Sequence, residues 1–394
     1  MLNVSDMRRT AFVLALLLLV PLEGGATPRE LPRPLPMPAM SYDGAGFTVP
    51  VNGQIVTIAR QGSRHADDPT GRIAAYTFID GEMDWPPHTI IDTELDDRNP
   101  AGGLTRSGAL IVFYARAVNK HEWVDMRAAR IVGDEVVETI IPTEPDSGFS
   151  PYGPLVVLPS GKLMQTVYGR GVENGRTYYR IRAFFSTDDG RTWPEERVVW
   201  KTYTEMPNET AAIWVDGATD SASRLMAFAS SARRLNDEWV HYVMQIVSTD
   251  GGKTWRRLGW VSGISDRGMV PWAANLGGGR LALVTVDRRE YTINVAMAWS
   301  RTVFGQPSWW PRGRAVYQST FMSTERVNVE GIGQTKNWSD FGYPSIVSLG
   351  PKEYHKFIVF YDSRTGSSGM SPADVPADTD LILTRLFARP LNER

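Results

Sequence analysis

The chain has 394 residues and a formal net charge of −2, with 42% hydrophobic and 10% aromatic residues. This composition can bury a large core, and the balanced charge argues against a broad basic surface for nucleic acid. The sequence contains no cysteine and only five histidines, which are far apart. Disulfides, thiolate chemistry and a metal site built from histidine are therefore not expected.

The first residues form a pattern that is typical of an export signal. Arg8 and Arg9 precede the apolar run 11–22, and small residues follow at 24–26. Because this run is short for a membrane span, residues 1–26 are predicted to be a cleaved signal peptide, with an uncleaved anchor as the alternative. No other membrane association is expected. A cysteine-free exported protein suits the periplasm or the exterior of a bacterium.

Residues 27–42 follow the signal and contain five prolines between positions 28 and 38. Such a segment favours an extended backbone and cannot build a core of its own. It is predicted to be a linker, which leaves residues 43–394 as the folded domain.

One pattern recurs along this domain: an apolar strand, a glycine-containing turn and a second apolar strand. The strands are rich in Val, Ile, Leu, Phe and Tyr and lack helical periodicity. The copies start at intervals of roughly 50 to 70 residues, which indicates a repeated structural unit. They lie at 101–116, 153–170, 211–231, 273–289 and 344–364.

The five hairpins predict an all-β fold, a six-bladed β-propeller. Blades of about four strands in a closed ring shield their sheet edges by radial repetition. Segments 54–60 and 73–79 near one end and 381–387 near the other are expected to build the sixth blade together, so that the termini pair and close the ring. A β-sandwich is the alternative, but regular units of this length favour the propeller.

A second repeat is an eight-residue pattern, S-x-D-x-G-x-T-W, at 186–193 and again at 248–255. Asp and Ser side chains can bond the backbone of a tight turn, Gly supplies a positive φ, and Trp packs beneath the hairpin. The pattern is therefore a folding device, and Asp188 and Asp250 are predicted to be turn residues rather than catalysts.

Polar residues precede each apolar hairpin at a comparable position. The inner strands of a propeller converge at one face, so these residues are expected to line a central pocket. The segments are 96–100, 145–149, 208–210, 266–268 and 340–345.

The eight-residue pattern resembles the Asp-box of sialidases and other BNR-repeat proteins. The resemblance to this family covers roughly residues 92–394. That family binds a sugar carboxylate with three arginines and uses a Tyr nucleophile, a Glu that activates it, and an Asp acid/base. Arg98, in Arg98-Asn99-Pro100, is similar to the first arginine of the family. Glu209 and Tyr343 stand at the hairpins where the family has its Glu and Tyr. The resemblance thus implies a sialidase-type propeller with Tyr343 and Glu209 as the catalytic pair.

The resemblance also implies roles for further arginines. Arg233 stands where the second arginine is expected, Arg288 and Arg289 compete for the third, and Arg116 would contact a substrate hydroxyl. Guanidinium groups match a carboxylate in charge and geometry. A neutral phenol suits this chemistry because a carboxylate nucleophile would meet the charge of the substrate acid.

Of the catalytic residues that the resemblance implies, the acid/base is the one that the sequence defines least. Asp125 is the candidate in the loop after Arg116, and Glu122 in the same loop is an alternative. Asp96 and Asp97, beside Arg98, are the other carboxylates that could serve.

Together these residues imply an exported, retaining exo-glycosidase of sialidase type that releases a terminal acidic sugar and needs no cofactor or metal. Its partner would be a glycan or glycoconjugate. A glycosidase for another acidic sugar and a non-catalytic carbohydrate-binding propeller are the alternatives. The oligomeric state has no signature in the sequence.

Overall fold

The described part of the chain is built almost entirely from β-strands. A computed structural model describes residues 42–63, 68–79, 82–119, 122–236, 238–261, 268–287, 292–300, 304, 314–318, 341–350, 352, 356–363 and 379–386. The predicted signal peptide and nearly all of the linker lie outside these residues. No described helix is long and apolar enough to cross a membrane.

The strands group into six antiparallel sheets in chain order. The first contains β1 (Tyr42–Val51), β2 (Gln54–Gly62), β3 (Arg72–Ile79) and β4 (Glu82–Ile91). The second contains β5 (Asp96–Leu104), β6 (Leu110–Ala117), β7 (Trp123–Val132) and β8 (Glu135–Ile141). The third contains β9 (Ser147–Pro151), β10 (Val156–Val157), β11 (Leu163–Glu173), β12 (Arg176–Ser186) and β13 (Glu195–Thr202).

The fourth sheet contains β14 (Thr210–Asp216), β15 (Arg224–Leu235), β16 (Glu238–Ser248) and β17 (Arg256–Trp260), with a short 3₁₀ helix (Asp220–Ala222) between its first two strands. The fifth contains β18 (Gly268–Gly277), β19 (Arg280–Asp287), β20 (Thr292–Trp299) and β21 (Arg314–Gln318). The sixth contains β22 (Phe341–Ser348), β23 (Lys356–Ser363) and β24 (Thr379–Arg385).

The sheets are arranged as a β-propeller. The first strand β1 packs against β5 on one side and β22 on the other, β14 against β10, β11 and β18, and β18 against β22. The predicted hairpins are the first strand pairs of their sheets, so the all-β propeller prediction is confirmed. Five sheets have the four or five strands of a complete blade, one fewer than the six blades predicted, because β22–β24 has three described strands.

The predicted pairing of the chain termini is wrong. Segments 54–60 and 73–79 belong to β2 and β3 of a complete sheet, and β24 pairs with β23. The described ends of the domain instead meet by packing, since the Oγ1 of Thr48 on β1 lies 2.6 Å from the Oγ of Ser345 on β22. A local strand pattern does not specify which strand a terminal segment joins, which explains the error.

The core lies between neighbouring sheets. The second strands are buried on both faces, as in β6, whose residues are almost all inaccessible, whereas the outer strand β8 is largely exposed. One apolar cluster joins Val156, Leu158 and Phe185 of the third sheet to Met244 and Ile246 of the fourth. Each blade is therefore stabilised mainly by burial against its neighbours.

The two Asp-box turns follow β12 and β16. In the first, the Oγ of Ser186 accepts from the backbone N of Gly190 at 2.9 Å, and Asp188 accepts from the backbone N and Oγ1 of Thr192 at 2.9 and 2.6 Å. The second copy repeats the same set at nearly the same distances. The predicted role of Asp188 as a turn residue therefore matches its contacts, and these hydrogen bonds outweigh burial and hold its pKa below the ordinary value.

Candidate active site

Three inner strands begin with the same unusual backbone. Asn99, Val270 and Tyr343 have φ values of 53°, 52° and 49°, and each precedes a proline. In each strand the pairing register shifts across this position. A left-handed conformation is costly for a residue with a side chain, above all for β-branched Val, and such strain is concentrated at functional sites. The irregularity redirects the side chain at this point of the inner strand.

Tyr343 and Glu209 meet although they are 134 residues apart. The hydroxyl of Tyr343 donates to Oε1 of Glu209 at 3.3 Å. Glu209 directly precedes β14 and Tyr343 lies near the start of β22, so the ring brings two different sheets together. The Tyr343 ring also packs edge-on against Tyr152, at 6.0 Å between ring centroids, and Tyr152 packs edge-on against Trp272 at 5.7 Å. This aromatic support fixes the phenol beside the carboxylate.

Arg98 belongs to the same neighbourhood. Its side chain is mostly buried, with the guanidinium 5.3 Å from the ring centre of Trp123 and Nε 3.8 Å from Asp96. Arg98 and Glu209 both affect the pKa of the neighbouring Tyr168. Burial raises this pKa most, the negative charge of Glu209 raises it further, and the positive charge of Arg98 lowers it. Tyr168 is thus within electrostatic range of both predicted site residues. Sequence reasoning missed it because a tyrosine in an apolar strand carries no distinguishing signal.

Arg116 and Asp125 bind each other. Two bonds of 2.7 Å join Nε and one terminal nitrogen of Arg116 to the two carboxylate oxygens of Asp125. Burial raises the pKa of Asp125, but the hydrogen bonds and charge of Arg116 outweigh it and hold the pKa below its ordinary value. In this arrangement Asp125 is an ionised partner of Arg116 rather than a proton donor.

The alternative carboxylates have different environments. Asp96 is buried and accepts from Nε of Arg60 at 2.8 Å. Asp97 is wholly buried and accepts from the backbone N and the Oγ1 of Thr93, each at 2.8 Å. Burial raises the pKa of Asp97 to about 6 despite these hydrogen bonds. Glu122 is exposed, and its backbone N donates to Oδ1 of Asn119.

Arg233 is placed against aromatic rings of its own sheet. Its guanidinium carbon lies 3.9 Å from the ring centre of Trp260 and 5.9 Å from that of Tyr242. Arg288 and Arg289 lie outside the described residues. The described contacts thus bring Tyr343 to Glu209 and Arg98 to their vicinity, while Arg116 and Asp125 form a separate pair. No group of three or more potential metal-ligating His, Cys, Asp or Glu side chains occurs within the described ranges.

Comparisons with known proteins identify the fold. No protein-family profile matches the chain, and no curated protein matches it by sequence. The NanB sialidase from Streptococcus pneumoniae superimposes with a TM-score of 0.57 at 11% identity, over 93% of this chain and 71% of that one. An alpha-L-arabinanase from Penicillium chrysogenum superimposes with a TM-score of 0.56 at 12% identity, over 90% and 99%.

An alpha-L-arabinofuranosidase from Fusarium graminearum also superimposes, with a TM-score of 0.54 at 11% identity, over 89% of this chain and 98% of that one. Sequence identities this low support a shared fold but not a shared activity. The chain therefore has the sialidase-like β-propeller fold that its Asp-box pattern predicts.

Proposed function

We propose that this protein is a glycoside hydrolase whose reaction is carried by Tyr343 and Glu209. The observation behind the proposal is the 3.3 Å hydrogen bond between the Tyr343 hydroxyl and the Glu209 carboxylate. A phenol paired with a carboxylate base is an activated nucleophile, because an isolated tyrosine has a pKa near 10 and attacks poorly. The propellers of similar fold that are named above include a sialidase, an arabinanase and an arabinofuranosidase, which agrees with this class.

The proposed reaction has two steps. Glu209 takes the phenol proton while the Tyr343 oxygen attacks the anomeric carbon, the glycosidic bond breaks, and the leaving-group oxygen receives a proton. A water molecule then displaces the tyrosine oxygen from the anomeric carbon and gives a proton to the carboxylate that protonated the leaving group, while Glu209 returns its proton to the phenol. Two displacements at the same carbon retain its configuration.

We assign the proton transfer at the leaving group to Asp125. This role requires Asp125 to exchange its Arg116 contact for a proton during the reaction, since its pKa is lowered in the free protein. Asp97 has the more suitable pKa, but it is wholly buried against Thr93. A carboxyl with no exposed surface cannot reach a leaving group, which favours Asp125.

The proposed substrate is a terminal acidic sugar, sialic acid or a similar 2-keto acid. Arg98 supports this, because a mostly buried guanidinium beside the Tyr343–Glu209 pair favours an anion there. The neutral phenol supports it too, since it attacks a carbon bearing a carboxylate without charge repulsion.

A neutral arabinose-containing glycan is the second candidate. The arabinanase and the arabinofuranosidase are matched over 99% and 98% of their lengths, compared with 71% for the sialidase. The two candidates share the fold and differ in whether the arginines receive a carboxylate.

We further propose that the three-stranded sheet β22–β24 is a sixth blade and that the protein is exported. The packing of β22 between β1 and β18 supports the blade. The basic and apolar pattern of residues 8–22 supports export.

Hydrolysis assays of the purified protein test the function. Wild-type protein is expected to release 4-methylumbelliferone from a sialoside, and Tyr343→Phe to lower kcat by at least ~10³-fold, because the phenol oxygen is the nucleophile. Tyr203→Phe, which alters an exposed tyrosine bonded to Glu173, is the matched control. If Tyr343→Phe kept wild-type rates, the assignment of Tyr343 as the nucleophile would be wrong. Turnover of arabinofuranosides alone would select the second candidate.

A further inference from the structure

Tyr168 of β11 is turned toward the proposed catalytic pair. Thr166, two residues earlier on the same face of the strand, donates through its hydroxyl to the backbone carbonyl of Thr210 at 2.7 Å. Thr210 begins β14 and directly follows Glu209. The Tyr168 ring also packs against the same apolar cluster as Tyr343. This face of β11 therefore lies against the start of β14, where Glu209 is held.

A serine and an asparagine fix the position of the Tyr168 hydroxyl. Tyr168 is paired directly with Ser150 of β9, so the two side chains leave the sheet on the same side, and their hydroxyls are hydrogen-bonded. The amide nitrogen of Asn99, on the second sheet, donates to Oγ of Ser150 at 2.8 Å. Asparagine tolerates the φ of 53° found at Asn99 better than most residues. Side chains of two sheets thus meet at one phenol.

The directions of these hydrogen bonds leave the Tyr168 proton for a ligand. Burial raises the pKa of Tyr168 most and the charge of Glu209 raises it further, so the phenol keeps its proton. Ser150 lowers that pKa, as a donor to the phenol oxygen does. The carbonyl of Pro151 competes for the Ser150 proton from 3.2 Å, which is longer than the usual ~2.5–3.0 Å of an O–H···O bond. Tyr168 is therefore a neutral donor.

The surroundings of Tyr168 indicate which ligand group it would meet. Tyr168 and Asn99 are half-buried, so both keep surface that a ligand can reach. Arg98 and Glu209 are both within electrostatic range of Tyr168. A sugar whose anomeric carbon is beside Tyr343 therefore brings its ring substituents toward the phenol. Hydroxyl oxygens are the acceptors that every sugar ring carries, and a neutral phenol suits them.

We propose that Tyr168 determines specificity by donating a hydrogen bond to a hydroxyl oxygen of the terminal sugar, and that Ser150 and Asn99 are the positioning residues that orient its hydroxyl. This inference rests on the proposed function and deepens it, because it adds a neutral donor from the third sheet to the site. It applies to an acidic and to a neutral sugar, since both carry hydroxyl groups. Loss of one such hydrogen bond should weaken binding about tenfold.

Equilibrium binding tests the Tyr168 donor without relying on turnover. The probes are N-acetylneuraminic acid and L-arabinose, each with its set of monodeoxy analogues, measured by ligand-observed NMR with the full-length protein. Wild-type protein is expected to bind at least one parent sugar about tenfold more tightly than Tyr168→Phe does. For the analogue that lacks the recognised hydroxyl, the two proteins should bind equally, because the partner of the phenol is gone.

Ser150→Ala and Asn99→Gly test the positioning, since glycine tolerates the φ of Asn99. Each should lose severalfold in affinity for the parent sugar, and nothing further when combined with Tyr168→Phe, because each acts through the phenol. Tyr178→Phe is the matched control. It removes another tyrosine hydroxyl of the same sheet, bonded to Asp146 at 2.9 Å, and should lower thermal stability without changing binding.

Three results would overturn the inference: equal affinity of wild type and Tyr168→Phe for the parent sugars, binding of neither sugar by the wild type, or the same loss in Tyr168→Phe for every analogue. Hydrolysis separates the two proposals. If Tyr343→Phe abolishes turnover while Tyr168→Phe binds and hydrolyses like the wild type, the catalytic pair stands and the Tyr168 donor fails. If Tyr168 is coupled to one hydroxyl while Tyr343→Phe keeps wild-type rates, the donor stands and the nucleophile fails.

Discussion

Two carboxyl groups of the second sheet have pKa shifts of opposite direction. Asp97 pairs with Arg116 across β5 and β6, and Arg116 pairs with Asp125 across β6 and β7. Asp125 has two hydrogen bonds from Arg116, which lower its pKa, whereas Asp97 is bonded to Thr93 and its burial raises the pKa to about 6. Desolvation and direct ion pairing thus distinguish residues that the sequence makes look interchangeable.

The raised pKa of Asp97 predicts a pH-dependent stability. The folded protein binds this proton more tightly than the unfolded chain, in which the pKa of Asp97 is 3.8. The resulting stabilisation of the folded state is fully present below about pH 4 and is lost as pH rises through 6. Between pH 4 and 7 the free energy of unfolding should fall by up to about 3 kcal/mol more in wild-type protein than in Asp97→Asn. Denaturant titrations at several pH values measure this. The exposed Asp134→Asn is the control, and equal pH slopes in wild type and Asp97→Asn would contradict the prediction.

Asp125 allows a leaving-group test. If it protonates the leaving oxygen, Asp125→Asn should lower kcat/KM by about 10²- to 10⁴-fold for a sugar leaving group. The loss should be less than about tenfold for 4-methylumbelliferone, which departs without a proton. Comparing the two substrates in a continuous assay measures the difference. Equal losses on both would assign Asp125 to holding Arg116 instead.

At the scale of the element, the Asp-box joins adjacent blades as well as closing a turn. Trp193 is buried and packs edge-on against Phe113 of the preceding sheet, at 4.7 Å between ring centres. Arg130 of that sheet donates to the backbone carbonyl of Asp189 within the box at 2.9 Å. The motif therefore positions one sheet against the next, which is consistent with its recurrence in a ring of sheets.

Gly190 is predicted to be the most sensitive position of the first box. Its φ is 86°, and an added Cβ would overlap Ile111 of the neighbouring sheet. Gly190→Ala should destabilise by about 2 to 4 kcal/mol, because overpacking adds to the strain of positive φ. Gly175→Ala, with a φ of 74° and no atom near the added Cβ, should cost only about 1 kcal/mol. Thermal unfolding compares them, and equal costs would refute the interblade contact.

At the scale of the whole molecule, the first and last sheets meet without sharing strands. The Oγ1 of Thr48 lies 3.0 Å from the Oγ1 of Thr57 and 2.6 Å from the Oγ of Ser345, which forms a buried hydroxyl chain across the junction. Apolar residues of both sheets, including Ile55, Tyr76 and Val359, form a common cluster. Among the described residues the ring is held here by side chains and not by strand pairing, which makes this junction the place where closure can be tested.

A double-mutant cycle tests the junction. Thr48→Val and Ser345→Ala should each destabilise by about 1 to 2 kcal/mol, and together by at least about 0.5 kcal/mol less than the sum. The exposed hydroxyl pair Thr202 and Thr204, at 3.3 Å, should give almost no coupling. Urea denaturation followed by tryptophan fluorescence provides the free energies. Additive effects at Thr48 and Ser345 would mean that the hydroxyl contact does not stabilise closure.

The sequence by itself determined the local units. Apolar hairpins and the S-x-D-x-G-x-T-W turns depend on interactions within about ten residues, so the all-β class, the propeller and the turn role of Asp188 could be predicted from their patterns. Tertiary packing decided the rest: which strands the terminal segments join, that Arg116 binds Asp125, and how deeply Asp97 is buried. The Tyr343–Glu209 hydrogen bond joins residues 134 positions apart. The sequence could name those two residues through a family resemblance, but only the tertiary structure sets the distance between them. That distance depends on how each sheet is placed in the ring.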